Sequence, residues 1–248
     1  MQTMVPLYGF GGVPYSAVRK AAPRNLLDNS DFTNLVAQAG IGGDHGSVAY
    51  AADRWILDSG TVSYAAGVGL TLNGTIRQKL EFLPTGETST FVGMASGAAS
   101  ISYADGAVTI TSRGGVLKWA ALYGGVYTET TKPEYQPKGY GAELLECQRY
   151  YIKFGSAISY PGYCYNTSIC RMTVNVPTKM RVSYPSTSLD ISNFNVYVGG
   201  SVIKPESIGE ISSKGTQMLI TLPGSYTGYN GMPIAVKLDG GFDLIAEL

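Results

Sequence analysis

Leu70-Thr-Leu-Asn-Gly-Thr-Ile-Arg-Gln-Lys-Leu80 is the stretch whose reading decides the fold class. Two short apolar and β-branched segments, Leu70–Leu72 and Ile76–Leu80, flank Asn73-Gly74. That pair favours a type I′ hairpin, because both of its positions must take positive φ. The same grammar repeats on either side. Upstream, Trp55-Ile-Leu57 and Thr61-Val-Ser-Tyr64 are separated by Asp58-Ser-Gly60. Downstream, Ile101-Ser-Tyr103 and Ala107-Val-Thr-Ile-Thr111 flank Asp105-Gly106, a second hairpin signal, and Val116–Tyr123 is a further strand. Short strands at this spacing, with turn residues between them, predict an antiparallel sandwich.

Pro133 and Pro137 end this region, and the one helical pattern of the chain follows. In Gly141–Tyr151, Leu144, Cys147 and Tyr151 form an apolar stripe. Glu143 in the first turn and Arg149 in the last suit the helix dipole, which leaves Glu143 and Glu146 on dipole or solvent duty. After the helix, strands are expected at Ile169–Val176, Met180–Tyr184, Phe194–Val198, Gln217–Leu222, Ile234–Leu238 and Phe242–Leu248. The expected class is all-β: two antiparallel β-sandwich, jelly-roll-like domains joined by one short helix, with an extended N-terminal arm. The boundaries read as an arm over 1–24, a jelly-roll β-sandwich over 25–138, a linker helix over 139–152 and a C-terminal β-sandwich over 153–248. Helix should stay below about 15%, well under the ordinary third. The arm carries Val5, Leu7, Tyr8 and Phe10, side chains costly to leave in water, so it is expected to dock on a partner.

Composition narrows the function. Eighteen Lys and Arg balance eighteen Asp and Glu, and charged residues make up 15% of the chain, against about 25% in an average domain. No basic cluster exists to neutralise phosphates, so nucleic acid is not an expected partner. No apolar run is long enough for a membrane-spanning helix, and no signal peptide is visible after Met1. Cys147, Cys164 and Cys170 are odd in number and read as free thiols, with no intrachain disulfide.

Catalytic motifs are largely missing. Neither GxSxG nor GxxxxGK[ST] occurs, and Gly40-Ile-Gly-Gly43 lacks the last glycine of a dinucleotide fingerprint. Asp44-His45 could be a metal pair, but a lone histidine in a Gly-rich loop reads first as solvated. Asp239 and Asp243 flank a Gly-Gly turn, where Asp is a turn former. No catalytic residue, metal ligand or cofactor is assigned; structural calcium has no sequence support. Tyrosine is the informative excess, with 18 residues. Tyr160, Tyr163 and Tyr165 surround Pro161-Gly162, and Tyr226 and Tyr229 precede Asn230-Gly231. Proline and glycine are expected to keep these stretches out of sheets and their rings at the surface. A ring with a polar tip can stack on a sugar face and hydrogen-bond its hydroxyls; Asn230 both donates and accepts. Tyr160, Tyr163, Tyr165, Tyr226, Tyr229 and Asn230 are therefore the candidate ligand residues. Loop anchoring or intersubunit packing is the alternative use of the same rings.

Two groups of residues resemble a family. Asn25-Leu-Leu-Asp-Asn-Ser-Asp-Phe32 followed by Asp53-Arg-Trp55 resembles the opening of the jelly roll in bacteriophage tail-fibre and receptor-binding proteins, domains similar to carbohydrate-binding modules. Trp119–Gly125, Pro133-Glu-Tyr135 and Gly139-Tyr-Gly-Ala-Glu-Leu-Leu-Glu-Cys-Gln-Arg-Tyr-Tyr151 resemble the closing strand and the Glu-Leu-x-x-Cys-Gln-Arg-Tyr helix of that family. Val176–Arg181 and the ending Ala246-Glu-Leu248 are similar to its second β-domain, and the opening Met1–Gly12 to its prophage fibre starts. Tyr123 stands where the family commonly has Glu. The resemblance implies a homotrimeric virion protein, assembled in the host cytoplasm, that adheres to host surface glycans and meets other tail proteins through the arm. Trp55 is expected in the core rather than on a sugar. A purely structural tail, baseplate or decoration protein is the alternative, and a polysaccharide depolymerase a further one.

Overall fold

The computed structural model describes residues 23–45, 48–183 and 185–246. The expected arm therefore lies outside the described residues, apart from Pro23 and Arg24. Of the described chain, 52% is strand and 5% helix, in two β-sandwich domains and one α-helix.

The first sandwich comprises β1 (Asp44–His45), β2 (Val48–Ala52), β3 (Trp55–Ala65), β4 (Gly69–Lys79), β5 (Thr88–Ser96), β6 (Ala99–Ala104) and β7 (Ala107–Gly124). Their order is β1-β2-β3-β4-β7-β5, with β6 also paired to β7. Strand β7 changes neighbours along its eighteen residues: residues 107–117 lie beside β4, and residues 116–124 beside β5. Its C-terminal part also receives the 25–31 segment. The Leu26 N–H donates to Leu122 O at 2.9 Å, the Ala120 N–H donates to Ser30 O at 3.0 Å, and Asp31 bridges to Trp119. This segment lays Leu27 and Phe32 over Trp55, Leu72, Ile76 and Ile110, all fully buried in one core.

Asp105-Gly106 is a hairpin turn, with φ of 50° and 73°. Asn73-Gly74 is not. It lies inside β4, with Gly74 opposite Gly60 of β3, and the turn sits instead at residues 66–68. A hairpin there would strip β4 of pairing on two sides, since it bonds both β3 and β7. The two glycines let the backbones close up: a Cβ on Gly60 would come within 1.9 Å of Asn73 O. Asp58-Ser-Gly60 is likewise strand rather than turn, and Gly114-Gly115 lies within β7.

Helix α1 spans Tyr140–Cys147, shorter than 139–152. Its buried side chains are Glu143 and Cys147, with Tyr150 one turn beyond, while Leu145 is exposed. Leu144 is only partly buried, and Tyr151 leaves the helix to open a strand, as an aromatic residue favours.

The second sandwich holds β8 (Tyr151–Phe154), β9 (Ile158–Asn166), β10 (Ile169–Asn175), β11 (Ser186–Thr187), β12 (Phe194–Val198), β13 (Ser201–Ile203), β14 (Ile211–Lys214), β15 (Gln217–Pro223), β16 (Pro233–Leu238) and β17 (Phe242–Ile245). Seven form the sheet β13-β12-β16-β9-β10-β15-β14, and three the sheet β11-β17-β8. Ile152, Phe242 and Leu244 of the small sheet share a core with Met172, Val196 and Val236 of the large one. Met180–Ser183 is not the expected strand. Met180 is buried and the Arg181 N–H donates to Arg149 O at 2.8 Å, so this stretch straps the end of the helix.

Candidate functional site

Strand β9 runs straight through Pro161-Gly162, against the expectation that these residues hold the stretch out of a sheet. Pro161 pairs with Ala235 of β16, and Gly162 fits because a Cβ there would meet Arg171 O at 2.2 Å. Strand alternation then sorts the tyrosines. Tyr160 points inward, is 9% exposed and packs edge-on to Phe154 and Phe242. Tyr163 and Tyr165 point outward, 40% and 52% exposed.

The β9–β10 turn at residues 167–168 folds β10 back so that Arg171 pairs with Tyr163 and Cys170 with Cys164. Arg171 lies on the outer face between the two exposed rings. Its Nη1 donates to the Tyr163 hydroxyl at 3.5 Å, and its guanidinium carbon sits 4.0 Å from the centre of the Tyr165 ring. Arg24, Arg54, Arg77 and Arg149 each face a carboxylate. Arg171 has no such partner among the described residues, and its Nε is shut off from solvent with no hydrogen bond.

The inward pair is a disulfide. Cys164 and Cys170 are bonded across the hairpin with their Cα atoms 4.0 Å apart, and Cys147 is the free, buried cysteine. This corrects the expectation of three free thiols. Six positions of separation are too many for a metal knuckle; the two residues come opposite each other because the register shifts just after the turn, between Ile169 and Cys170, leaving Tyr165 without a partner on β10.

Tyr226 is fully buried, and burial pushes its hydroxyl up to about 12, with the Glu206 charge adding to it. Burial likewise raises Tyr160. Both hydroxyls lack a hydrogen-bond partner, so both rings serve the core and offer nothing to a ligand. Tyr229 is half-buried over Gly199, where a Cβ would meet its ring at 2.9 Å, and its hydroxyl donates to Ser201 Oγ at 3.1 Å. It anchors the 224–232 loop. Asn230 is exposed beside Gly231, whose N–H donates to Cys164 O at 2.8 Å, bringing this loop against β9. Of the six expected ligand residues, Tyr163, Tyr165 and Asn230 reach the surface in one neighbourhood. Arg171 completes it and was not foreseen; only the β9–β10 hairpin register reveals it.

The residues that carry the family resemblance meet elsewhere, at the joint between the sandwiches. Asn29, with φ of 48°, donates through Nδ2 to Val36 O and Asp53 O and accepts from the Val36 N–H. Its backbone N–H donates to Glu143 Oε2 at 2.6 Å, and its carbonyl accepts from Trp55 Nε1. Trp55 is thus a core residue, as expected. Glu143 is 2% exposed rather than solvated, and burial raises its carboxyl above the ordinary range. Arg54 faces Asp28 and lies 3.5 Å over the Tyr150 ring, and Tyr150 donates to Glu81 at 2.6 Å. His45 is buried, not solvated: its flat ring fills the slot between Tyr50 and Tyr151, with centroids at 4.0 and 3.6 Å, and Nε2 lies 3.5 Å from Asp53 Oδ1.

No protein-family model, no curated protein and no solved structure matches the chain.

Other candidate surfaces are occupied by their own contacts. The Trp119 ring stacks on Tyr135 at 4.9 Å and pins the 125–138 segment to the sheet. Tyr123, at the position where the resembled family has Glu, is buried against Phe91 and Tyr127. The cleft between the first sandwich and the helix, about 240 Å³, is lined by Asp28, Arg54, Glu81, Glu146 and Arg149, charges that already face one another. Among the described residues no group of three or more His, Cys, Asp or Glu could hold a metal ion, and no helix is long and apolar enough to cross a membrane.

Proposed function

We propose that the chain is a non-enzymatic attachment protein of the phage tail-fibre or receptor-binding kind. In this reading it is a homotrimer in the virion, assembled in the host cytoplasm, meets neighbouring tail proteins through residues 1–24, and adheres to host surface carbohydrate. The observation that carries the reading is the Tyr163–Arg171–Tyr165 arrangement on the outer face of β9 and β10. A solvent-facing sheet position usually carries a polar side chain. Here two rings stand half-exposed, locked in orientation by a guanidinium that contacts both. Rigid rings with a polar tip lose little entropy when a sugar stacks on them. Weak single sites gain from repetition, since three linked copies raise avidity by orders of magnitude.

The test is adsorption. Tyr163→Ala and Tyr165→Ala should each lower binding to host cells by about fivefold or more, on the scale of about 1 kcal/mol for a lost aromatic contact. Melting and the trimeric mass by light scattering should not change. Normal adsorption of both variants would leave a purely structural tail protein as the reading.

A further inference from the structure

We infer that the outer face of β9 and β10 takes a carboxylate-bearing sugar, a uronate or sialate residue, rather than a neutral one. The inference rests on the adhesion reading above and names the ligand class of the same site.

The charge of Arg171 is the starting point. In a chain whose charges cancel, Arg24, Arg54, Arg77 and Arg149 spend theirs on Asp or Glu. Arg171 has only aromatic company among the described residues. Its Nε, buried without a partner, is already stripped of water, so this guanidinium is less well solvated than a free surface arginine. A partly desolvated cation gains more from an oxyanion than from a hydroxyl, because charge-assisted hydrogen bonds are about twice as strong as neutral ones.

Hydrogen-bond direction supplies the second donor. Arg171 Nη1 donates to the Tyr163 oxygen. Guanidinium cannot accept, so the Tyr163 proton points away from Arg171 and is free to donate. The free N–H groups of Arg171 and the O–H of Tyr163 therefore present donors side by side. Two adjacent donors match the two oxygens of one carboxylate, which only accept and carry charge, whereas a sugar hydroxyl offers them a single uncharged oxygen. Tyr165, held against the guanidinium and 52% exposed, offers its ring to the apolar face of the pyranose that carries the acid.

The experiment measures binding of the purified full chain to immobilised oligosaccharides ending in galacturonate, glucuronate or sialate, each beside its methyl ester. The ester keeps the shape and removes the charge. At least one acid should bind tenfold or more above its ester, and added salt should weaken that binding, as for any half-exposed ion pair. Arg171→Gln should abolish the preference. Tyr163→Phe, which loses only the proton donor and keeps the ring, should reduce acid binding several-fold and by more than it reduces ester binding, so that the preference narrows. Equal binding of acid and ester, weakened equally by Tyr163→Ala, would overturn the inference while upholding carbohydrate adhesion. Binding to none of the acids would also overturn it, and host adsorption of Tyr163→Ala then judges the adhesion reading separately.

Discussion

The two sandwiches solve the same problem with different interiors. Among the described residues, every buried polar or charged side chain, from Asn29 and Asp53 through Arg54, Gln78 and Glu143, belongs to the first sandwich and the helix. The second sandwich buries an apolar core, a disulfide and the unpartnered hydroxyls of Tyr160 and Tyr226. Apolar packing is tolerant of repacking. A buried hydrogen-bond network is not, because each missing partner leaves a desolvated group behind. The first interior therefore specifies one geometry, that of the joint with the helix, and the second interior mainly supplies a rigid sheet on which the surface can vary.

The sharpest way to break this contrast is Asn29→Ala. It removes three buried side-chain hydrogen bonds and leaves Val36 and Asp53 backbone groups unpaired, so we expect a loss of about 3 kcal/mol. Two thermal transitions should appear in calorimetry, with only the lower assigned to the first sandwich. An unchanged melt would mean that the network carries no stability.

The reciprocal perturbation is reduction. Opening the short loop closed by Cys164–Cys170 should cost about 2 kcal/mol and lower the transition of the second sandwich alone. Alkylation of unreduced, unfolded protein should label one cysteine, Cys147. Three labels by mass spectrometry would refute the disulfide.

Glu143 gives a slope rather than an offset. Burial raises its folded pKa above the ordinary carboxylate value. Its contribution to stability is then fully present below the unfolded pKa and is lost as pH rises through the folded one. Glu143→Gln keeps an acceptor for Asn29 and removes the titration. Urea melts of the variant should flatten across that acidic window relative to the parent, and identical slopes would contradict the raised pKa. The smallest effect belongs to Tyr226→Phe and Tyr160→Phe. Each deletes a buried hydroxyl without a partner, so stability should hold or rise by up to about 1 kcal/mol. A loss of that size instead would show that the hydroxyls are bonded.

The alternation of apolar residues was legible because it follows from the two-residue period of a strand, and it placed β10, β12, β15 and β16 within a residue or so. Turn chemistry was less reliable. Asp105-Gly106 made its hairpin, but Asn73-Gly74 has the same local preference and was overruled by pairing on both sides of β4. Pro161-Gly162 failed as a breaker for a related reason: its place in the sheet needs small, close backbones, which no local rule shows. Of the site, the exposed rings could be proposed from sequence. The sorting of Tyr160 from Tyr163, the recruitment of Arg171 and the pairing of the cysteines depend on hairpin register, which is fixed by the turn at residues 167–168 together with the register shift beside it, a feature no turn rule shows. The burial of Glu143 was hidden still further, because its partner lies 114 residues away.

That distance has a consequence during synthesis. At about 5–20 residues per second, the 114 residues between Asn29 and Glu143 correspond to roughly 6 to 23 s of translation. Once Val36, Asp53 and Trp55 have been made, the nascent first domain can hold its asparagine loop, but until Glu143 arrives it has no carboxylate to receive the Asn29 N–H, and the face later covered by Cys147 and Tyr150 is wet. The helix is thus the last piece of a domain that begins more than a hundred residues earlier, and it emerges just ahead of the second sandwich. A chain ending at residue 138 would be the waiting state made permanent, and chaperones that bind uncapped sheets would find it in that form.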